Sequence, residues 1–272
     1  MRHAWLIIAH NEFGILQHLI SMLDDARSDF YVHIDKKVAA LPELHVEKGR
    51  LTVLKKRIDV CWGTVSQIRT ELLLLGTALQ NGPYAHYHIL SGTHLPLRSV
   101  EELMQFYDSH DGEEIMRFWK RDEGDADFKL RRYHLPMRHF KTPGHAFCRK
   151  VETFCWKACL KVQKVFGIRH LQQTEFRKTD NWMSLSEQGA RFLIQDKARI
   201  LRKYRWSFCG DEYFAATELL AAKDKFNILD YPQLLYVEFL GDTPRSFSVD
   251  AYPRLQETRY LWARKFSSHH AD

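Results

Sequence analysis

The feature that most constrains this chain is residues 84–97, where a buried-strand pattern runs directly into a polar turn and a proline. Apolar and aromatic residues lead up to Ser91 and Gly92, where the backbone can adopt conformations that residues with side chains resist. Ligands of α/β proteins bind beyond the carboxyl ends of parallel strands, so this turn is a candidate site. An ordinary strand and turn fits the same pattern equally well.

Apolar segments alternate in type along the chain. Strand patterns cover 4–9, 30–35, 51–54 and 86–90, and helical patterns cover 64–79 and 100–107. With 272 residues and 45% hydrophobic composition, the chain can bury a substantial core. We predict a single α/β domain over residues 1–272, with a Rossmann-like, mostly parallel sheet flanked by helices.

Localisation signals are weak. No apolar run reaches the length of about 18 residues that a transmembrane helix needs. The first apolar run, residues 4–9, is too short for a signal peptide. The five cysteines are odd in number and include no Cys-x-x-Cys pair, which favours free thiols. We therefore expect a cytoplasmic protein.

Positive charge is concentrated in the middle of the chain. Residues 129–178 contain 13 Lys and Arg against two acids, a net charge of +11 within a chain of net +6. Such a block attracts phosphate, nucleic acid or an anionic membrane. The helical pattern over 150–166 has an apolar face and a lysine face, which suits a membrane surface and a core-packed helix equally. A solvated basic face needs no partner at all.

The chain lacks the glycine-rich loops that cradle ATP or dinucleotide phosphates. His10 follows the first strand and Asp35 ends the second, so both fall at the same edge of a parallel sheet. The carboxylate can accept a hydrogen bond from a uracil or ribose group, and the imidazole can stack on a base. Taken singly, each also fits an ordinary turn.

A metal site is not expected. Nucleotide-sugar enzymes often hold a divalent cation with an Asp-x-Asp pair, and the sole pair here, Asp125 and Asp127, follows a charged run. We interpret it as a solvated loop. A departing diphosphate would then need cationic side chains, and Arg245, Arg264 and Lys265 are the candidates.

A candidate general base follows Gly210. Asp211 and Glu212 lie at the start of a predicted helix, where the helix dipole favours the charged form. Asp211 can cap the helix, and Glu212 can accept a proton from a hydroxyl group. Stabilisation of the helix end alone also explains both acids.

Together these segments resemble the core-2/I-branching family of glycosyltransferases, which includes protein xylosyltransferases. The matching segments, in the family's order, are Ile7-Ile8-Ala9-His10, residues 30–37, Trp62-Gly63-Thr64-Val65-Ser66, residues 87–97, Gly210-Asp211-Glu212 and Ala263-Arg264-Lys265-Phe266. They span nearly the whole chain.

The resemblance implies a GT-A-like fold, a UDP-sugar donor, inversion at the anomeric carbon, and transfer without a metal or other cofactor. It makes Glu212 the catalytic base. The residues it implies at the donor are His10, Asp35, Trp62, Ser66, Arg245, Arg264 and Lys265. Those it implies near the sugars are Ser91, Gly92, His94, Asp211 and Trp182.

His94 stands where many family members carry Asp, which leaves the sugar open. GlcNAc transfer with β1,6 linkage is favoured, and xylose or another UDP-hexose is the alternative. The basic, partly helical insertion at about 129–178 is expected to contact the inner membrane surface peripherally or to bind a lipid-linked oligosaccharide acceptor. The alternative outside enzymes is an anionic-surface or nucleic-acid binding protein, but no nucleic-acid motif accompanies the charge.

Overall fold

A seven-stranded sheet forms the centre of the molecule. The computed structural model describes residues 1–135, 138–139, 144–241 and 243–268. The strands are β1 (His3–Ala9), β2 (Ser28–Ile34), β3 (Arg50–Val53), β4 (Tyr87–Ser91), β5 (Leu95–Pro96), β6 (Glu113–Met116), β7 (Ser184–Leu185), β8 (Asn227–Asp230), β9 (Leu235–Tyr236), β10 (Phe239–Leu240), β11 (Thr243–Pro244) and β12 (Trp262–Ala263). The central sheet has the order β3-β2-β1-β4-β7-β6-β8.

The sheet is mostly parallel, as predicted. β1 pairs in parallel with both β2 and β4, and β7 alone in this sheet runs antiparallel to its neighbours β4 and β6. Every residue of β1 and β2 is buried. Strands covered on both faces need continuous apolar runs, which explains the unbroken patterns in the sequence.

Helices flank this sheet. They are α1 (Phe13–Met22), α2 (Ser66–Ala78), α3 (Val100–Ser109), α4 (Glu123–Leu130), α5 (Ala146–Val165), α6 (Glu187–Gln195), α7 (Lys197–Lys203), α8 (Phe214–Ala221) and α9 (Tyr252–Gln256). Short 3₁₀ helices cover Gly210–Glu212, Lys223–Lys225 and Val249–Ala251. Within the described ranges, no helix is long and apolar enough to cross a membrane.

A second, three-stranded sheet carries the end of the chain back to the turn after β4. β12 pairs antiparallel with β5 and parallel with β9. The Phe266 amide donates to the Thr93 carbonyl at 3.0 Å, and the Trp262 indole donates to the Tyr107 hydroxyl at 2.9 Å. The segment Ala263-Arg264-Lys265-Phe266 therefore lies beside the turn that follows β4.

Three local expectations were wrong. Asp125 and Asp127 lie on α4, not in a solvated loop. α5 begins at Ala146, four residues before the helical pattern predicted over 150–166; residues 136–137 and 140–143 of the basic insertion lie outside the described part of the chain. Asp211 and Glu212 occupy a 3₁₀ turn before α8, so they are not in the first turn of an α-helix.

The core-packed alternative for α5 was also wrong, because its apolar face points to solvent. Phe147 and Phe154 are exposed over 78% and 74% of their surface, respectively. The helix instead faces the protein through the side that carries Trp156 and Gln163. Periodicity identified the face, but it did not indicate which side the protein covers.

Two helical glycines offer a matched test of packing. A Cβ at Gly189 in α6 would overlap the carboxylate of Glu114, which is buried and accepts the Ser186 amide at 3.0 Å. A Cβ at Gly76 in α2 would meet only Ile194, at an ordinary 3.6 Å. We expect Gly189→Ala to destabilise the fold by about 1–3 kcal/mol. Gly76→Ala should be neutral or slightly stabilising. Urea denaturation of both variants measures this, and equal midpoints would contradict the packing described.

Candidate active site

The carboxyl ends of β1, β2 and β4 form one edge, as the sequence predicted. The Asp35 amide donates to the Ala9 carbonyl at 2.9 Å, and the Gly92 amide donates to the Ile8 carbonyl at 2.9 Å. A Cβ at Gly92 would lie 2.8 Å from the Ala9 Cβ, so the turn needs glycine to approach this closely. His10, at the end of β1, therefore lies beside both turns.

Asp35 is buried at this edge, and its side chain also stabilises the loops around it. Its carboxylate accepts the Lys37 amide at 2.8 Å, the Lys37 ammonium at 2.9 Å and the Val60 amide at 3.2 Å. Arg57 donates to the carbonyls of Ile34 and Asp35 at 3.0 and 2.6 Å. These bonds fasten segment 57–60 across the end of β2.

Lys265 comes to this edge from the other end of the chain. The pKa of His10 is lowered, first by desolvation and then by the positive charge of Lys265, while Asp35 opposes the shift. The Lys265 carbonyl accepts the Phe247 amide at 2.7 Å, which fixes the backbone there. We refer to His10, Asp35 and Lys265 as the edge group.

Glu212 lies in a second cluster that the sequence did not predict. Its Oε2 lies 3.0 Å from the Lys129 ammonium and 3.5 Å from that of Lys178. Both lysines also pair with Asp125, at 3.2 and 2.8 Å, and the Tyr213 hydroxyl donates to Asp125 at 2.5 Å. We call these five residues the acid–lysine cluster.

This cluster balances two acids against two lysines and leaves Glu212 accessible. Burial alone would lower the pKa of Lys129, but the negative charges of Glu212 and Asp125 raise it overall. The Glu212 side chain is 33% exposed, against 15% for Lys129. The one sequence signal for Lys129 and Lys178 was their position as the first and last residues of the basic block at 129–178.

Two further carboxyl groups, those of Asp211 and Glu71, interact electrostatically in sequence from Glu212. Burial and the negative charge of Glu212 raise the pKa of Asp211 to about 7, and the Asn181 amide group donates to Asp211 at 3.3 Å. Glu71, fully buried on α2, accepts from Gln67 at 2.9 Å. Burial, followed by the charge of Asp211, raises the pKa of Glu71 well above its usual range. Asp211 makes no capping bond, contrary to expectation.

Polar atoms without partners are found on Asp211 and on three residues grouped around Trp182, which follows Asn181 in the chain. The rings of His94 and Trp182 meet edge to face at 5.0 Å, and the Arg264 guanidinium lies 5.0 Å from the centre of the Trp182 ring. Among the described residues, four buried atoms lack a hydrogen-bond partner here: His94 Nε2, Trp182 Nε1, Arg264 Nε and Asp211 Oδ1. Buried polar atoms are nearly always paired, so these are positions for water or a ligand.

We call His94, Trp182, Arg264 and Asp211 the inner polar group. It joins the two other clusters, because Arg264 precedes Lys265 and Asp211 precedes Glu212. Burial lowers the pKa of Arg264 to about 10, against the opposing charge of Asp180, so the side chain stays cationic at neutral pH. Burial and Arg264 hold the pKa of His94 well below its usual range, so its ring is neutral.

The remaining predicted residues, Trp62, Ser66, Ser91 and Arg245, make contacts outside the three groups defined above. Trp62 packs on Phe208 with ring centres 5.2 Å apart, and the Ser66 hydroxyl accepts the Cys61 amide at 2.8 Å. The Ser91 hydroxyl bonds the Thr93 hydroxyl at 2.8 Å, within the turn after β4. Arg245 is exposed and pairs with Glu238 at 3.1 Å. Trp62 thus lies in the turn beside Phe208, four residues before Glu212, and Ser66 begins α2 after that turn.

The family model described as Core-2/I-Branching enzyme matches residues 3–233. The chain belongs to the Core-2/I-branching enzyme family. It is therefore a glycosyltransferase that uses a UDP-sugar donor and a glycan acceptor, and the family predicted from the motifs is confirmed. The match contains His10, Asp35 and Glu212, whereas Arg264 and Lys265 lie beyond it.

Among solved structures, this Core-2/I-branching family member is similar to the apo crystal structure of mouse xyloside xylosyltransferase 1. The two share 9% sequence identity, with 96% of each chain covered and a TM-score of 0.39. No curated protein sequence matches the chain significantly.

Glu71 provides a test of the electrostatics behind the site. Because its pKa is raised in the folded state, the native protein holds a proton that the unfolded chain releases above the ordinary glutamate pKa. Wild-type stability should therefore fall as pH rises from 5 to 8, by at most about 1.4 kcal/mol per pH unit from this group. Glu71→Gln should lose this contribution and gain relative stability at pH 8.

Urea denaturation of wild type and variant at pH 5 and pH 8 checks this. Glu175→Gln is the matched control, because the Glu175 side chain is 68% exposed and pairs only with Arg121 among the described residues. An equal stability difference between Glu71→Gln and wild type at both pH values would show that Glu71 is not held neutral.

Proposed function

We propose that this Core-2/I-branching family member transfers a sugar, most simply GlcNAc, from a UDP-sugar to a hydroxyl group of a glycan, with inversion, a β1,6 linkage and no metal. The observation that carries the proposal is the set of four atoms in the inner polar group that lack a hydrogen-bond partner. The chain links this group to a partly exposed carboxylate, Glu212, through Asp211, and to the cation of Lys265 through Arg264. A base, a sugar pocket and a diphosphate site would then be adjacent.

Glu212 is the general base in this scheme. The acceptor oxygen attacks C1 of the sugar, the bond from C1 to the UDP oxygen breaks, and the hydroxyl proton moves to Glu212. Both lysines contact Oε2, so we assign Oε1 to the proton transfer. Lys129 and Lys178 hold the carboxylate in place.

Lys265 and Arg264 neutralise the diphosphate as it leaves. The unpaired Nε of Arg264 supports a contact with an anion. Arg245 is a further candidate whose pairing with Glu238 would have to open. His10 and Asp35 are proposed to meet the uridine.

The residues around the site support cationic side chains in place of a metal. Asp125, the first acid of the Asp-x-Asp pair, is already bound by two lysines and a tyrosine. In the described part of the chain, no group of three or more His, Cys, Asp or Glu residues is arranged to hold a metal ion. A carboxylate paired in this way is a poor cation ligand.

The inner polar group is proposed to bind the sugar of the donor. The Trp182 ring offers an apolar face, and His94, Trp182 and Arg264 offer polar atoms without partners. UDP-xylose or another UDP-hexose would occupy the same pocket. Release of UDP measured with a panel of UDP-sugars distinguishes these donors.

Removal of the base tests the proposal directly. Glu212→Gln should lose transfer by at least about 100-fold, because the amide cannot take the proton. UDP affinity should stay within about twofold, since Glu212 acts on the acceptor. Glu175→Gln is the control and should leave transfer unchanged. Turnover of Glu212→Gln near the wild-type rate, measured by UDP release with acceptor, would refute the assignment.

Lys265 tests the diphosphate site separately. Lys265→Met should weaken UDP binding by about tenfold, the effect of losing one charge-assisted contact of about 1.4 kcal/mol. Lys225→Met, at an exposed lysine of the 3₁₀ helix Lys223–Lys225, should leave it unchanged. Titration calorimetry with UDP, with and without EDTA, measures both. Unchanged affinity in Lys265→Met, or loss of wild-type UDP binding in EDTA, would overturn the metal-independent scheme.

A further inference from the structure

The apolar face of the amphipathic helix α5 points to solvent, and its more polar face contacts the protein. Over its 20 residues, Gln163 is the one buried residue, and it donates to the Tyr133 carbonyl at 2.8 Å. Trp156, also on the inward face, donates to His134 Nδ1 at 2.9 Å. Hydrogen bonds from an amide group and an indole therefore fasten the inward face to the protein.

The outward face of α5 is a stripe of large apolar side chains. Phe147, Phe154 and Val165 are exposed over 78%, 74% and 71% of their surface. Val151 and Val162 are exposed between them, so the spacing follows one helical face from end to end. A continuous apolar stripe in water marks an interaction surface.

The charges beside this stripe are positive. Lys150, Lys157, Lys161 and Lys164 are exposed along one flank. The single acid of the helix, Glu152, faces inward, where it accepts the His139 amide at 2.9 Å and the His139 ring at 2.7 Å. The surface therefore offers apolar side chains and cations, with no carboxylate of the helix between them.

We infer that the outward face of α5 lies on the surface of an anionic lipid bilayer. A helix of this length covers about 30 Å of surface. Its Phe and Val side chains would enter the acyl boundary, while the flanking lysines meet lipid phosphates. Charge complementarity selects this occupant, because the lysines run along the full stripe and match an evenly anionic plane.

This orientation would also bring the active site to the membrane. The Trp156 ring lies 5.7 Å from that of Phe208, which is four residues before Glu212 in the chain. A docked α5 therefore holds the proposed base near the lipid surface. This step rests on the proposed function and favours an acceptor glycan that is attached to a lipid diphosphate.

Flotation of the purified full chain with vesicles tests the membrane surface. We expect binding to phosphatidylcholine vesicles that contain about one quarter phosphatidylglycerol, little binding to pure phosphatidylcholine, and weaker binding at high salt. Phe154→Ser with Val165→Ser should reduce binding by at least about tenfold. Lys157→Glu with Lys161→Glu should do the same on anionic vesicles.

Matched controls lie elsewhere on the surface. Leu41→Ser with Val249→Ser removes two exposed apolar side chains, and Lys223→Glu with Lys225→Glu reverses two exposed charges; both pairs should bind vesicles normally. All variants should melt near the wild-type temperature, since they leave the inward face of α5 intact. Glu212→Gln should bind vesicles like wild type, which separates this inference from the proposed catalysis.

Two results would overturn the inference. One is vesicle binding that does not change in the α5 variants. The other is a wild-type protein that does not bind vesicles and is a dimer in light scattering, while the double variant Phe154→Ser with Val165→Ser is a monomer. That second result would identify another copy of the chain as the occupant.

Discussion

The parallel register of β1 with β2 and β4 is the constraint on which the site depends. The Asp35 and Gly92 amides bond to the carbonyls of consecutive residues of β1, Ala9 and Ile8. A slip of one residue would turn every side chain of β1 to the opposite face, in a strand that is buried throughout. The hydrophobic core therefore fixes the positions of His10 and both turns before any ligand contributes.

The acid–lysine cluster has a different physical basis. Desolvating charges is costly, and a pair repays that cost only with good geometry and further hydrogen bonds. Asp125 supplies these, since it shares both lysines with Glu212 and accepts from Tyr213. The basic block at 129–178 thus has two parts. Its first and last lysines face the site, whereas the lysines of α5 face outward.

Sequence patterns predicted the strands and helices that a continuous stretch of residues specifies by itself. The unbroken apolar runs indicated β1 and β2, and their ends placed His10 and Asp35 at one edge. The cluster around Glu212 could not be predicted, because Lys129 lies 83 residues away in the chain and only the folded arrangement brings it close. The 3₁₀ turn at Gly210–Glu212 follows Cys209, whose left-handed backbone and bond to the Gly63 carbonyl at 2.9 Å have no sequence signature.

The two faces of α5 show why periodicity alone left its role open. The inward face is held by Trp156, whose ring contacts those of His134 and Phe208, while Trp62 also packs on Phe208. These rings anchor the loop that ends at Glu212, so the helix is fixed without its own apolar stripe. A stripe that the fold does not use for stability is free to meet a surface. These aromatic contacts would then set the distance between that surface and Glu212, the proposed general base.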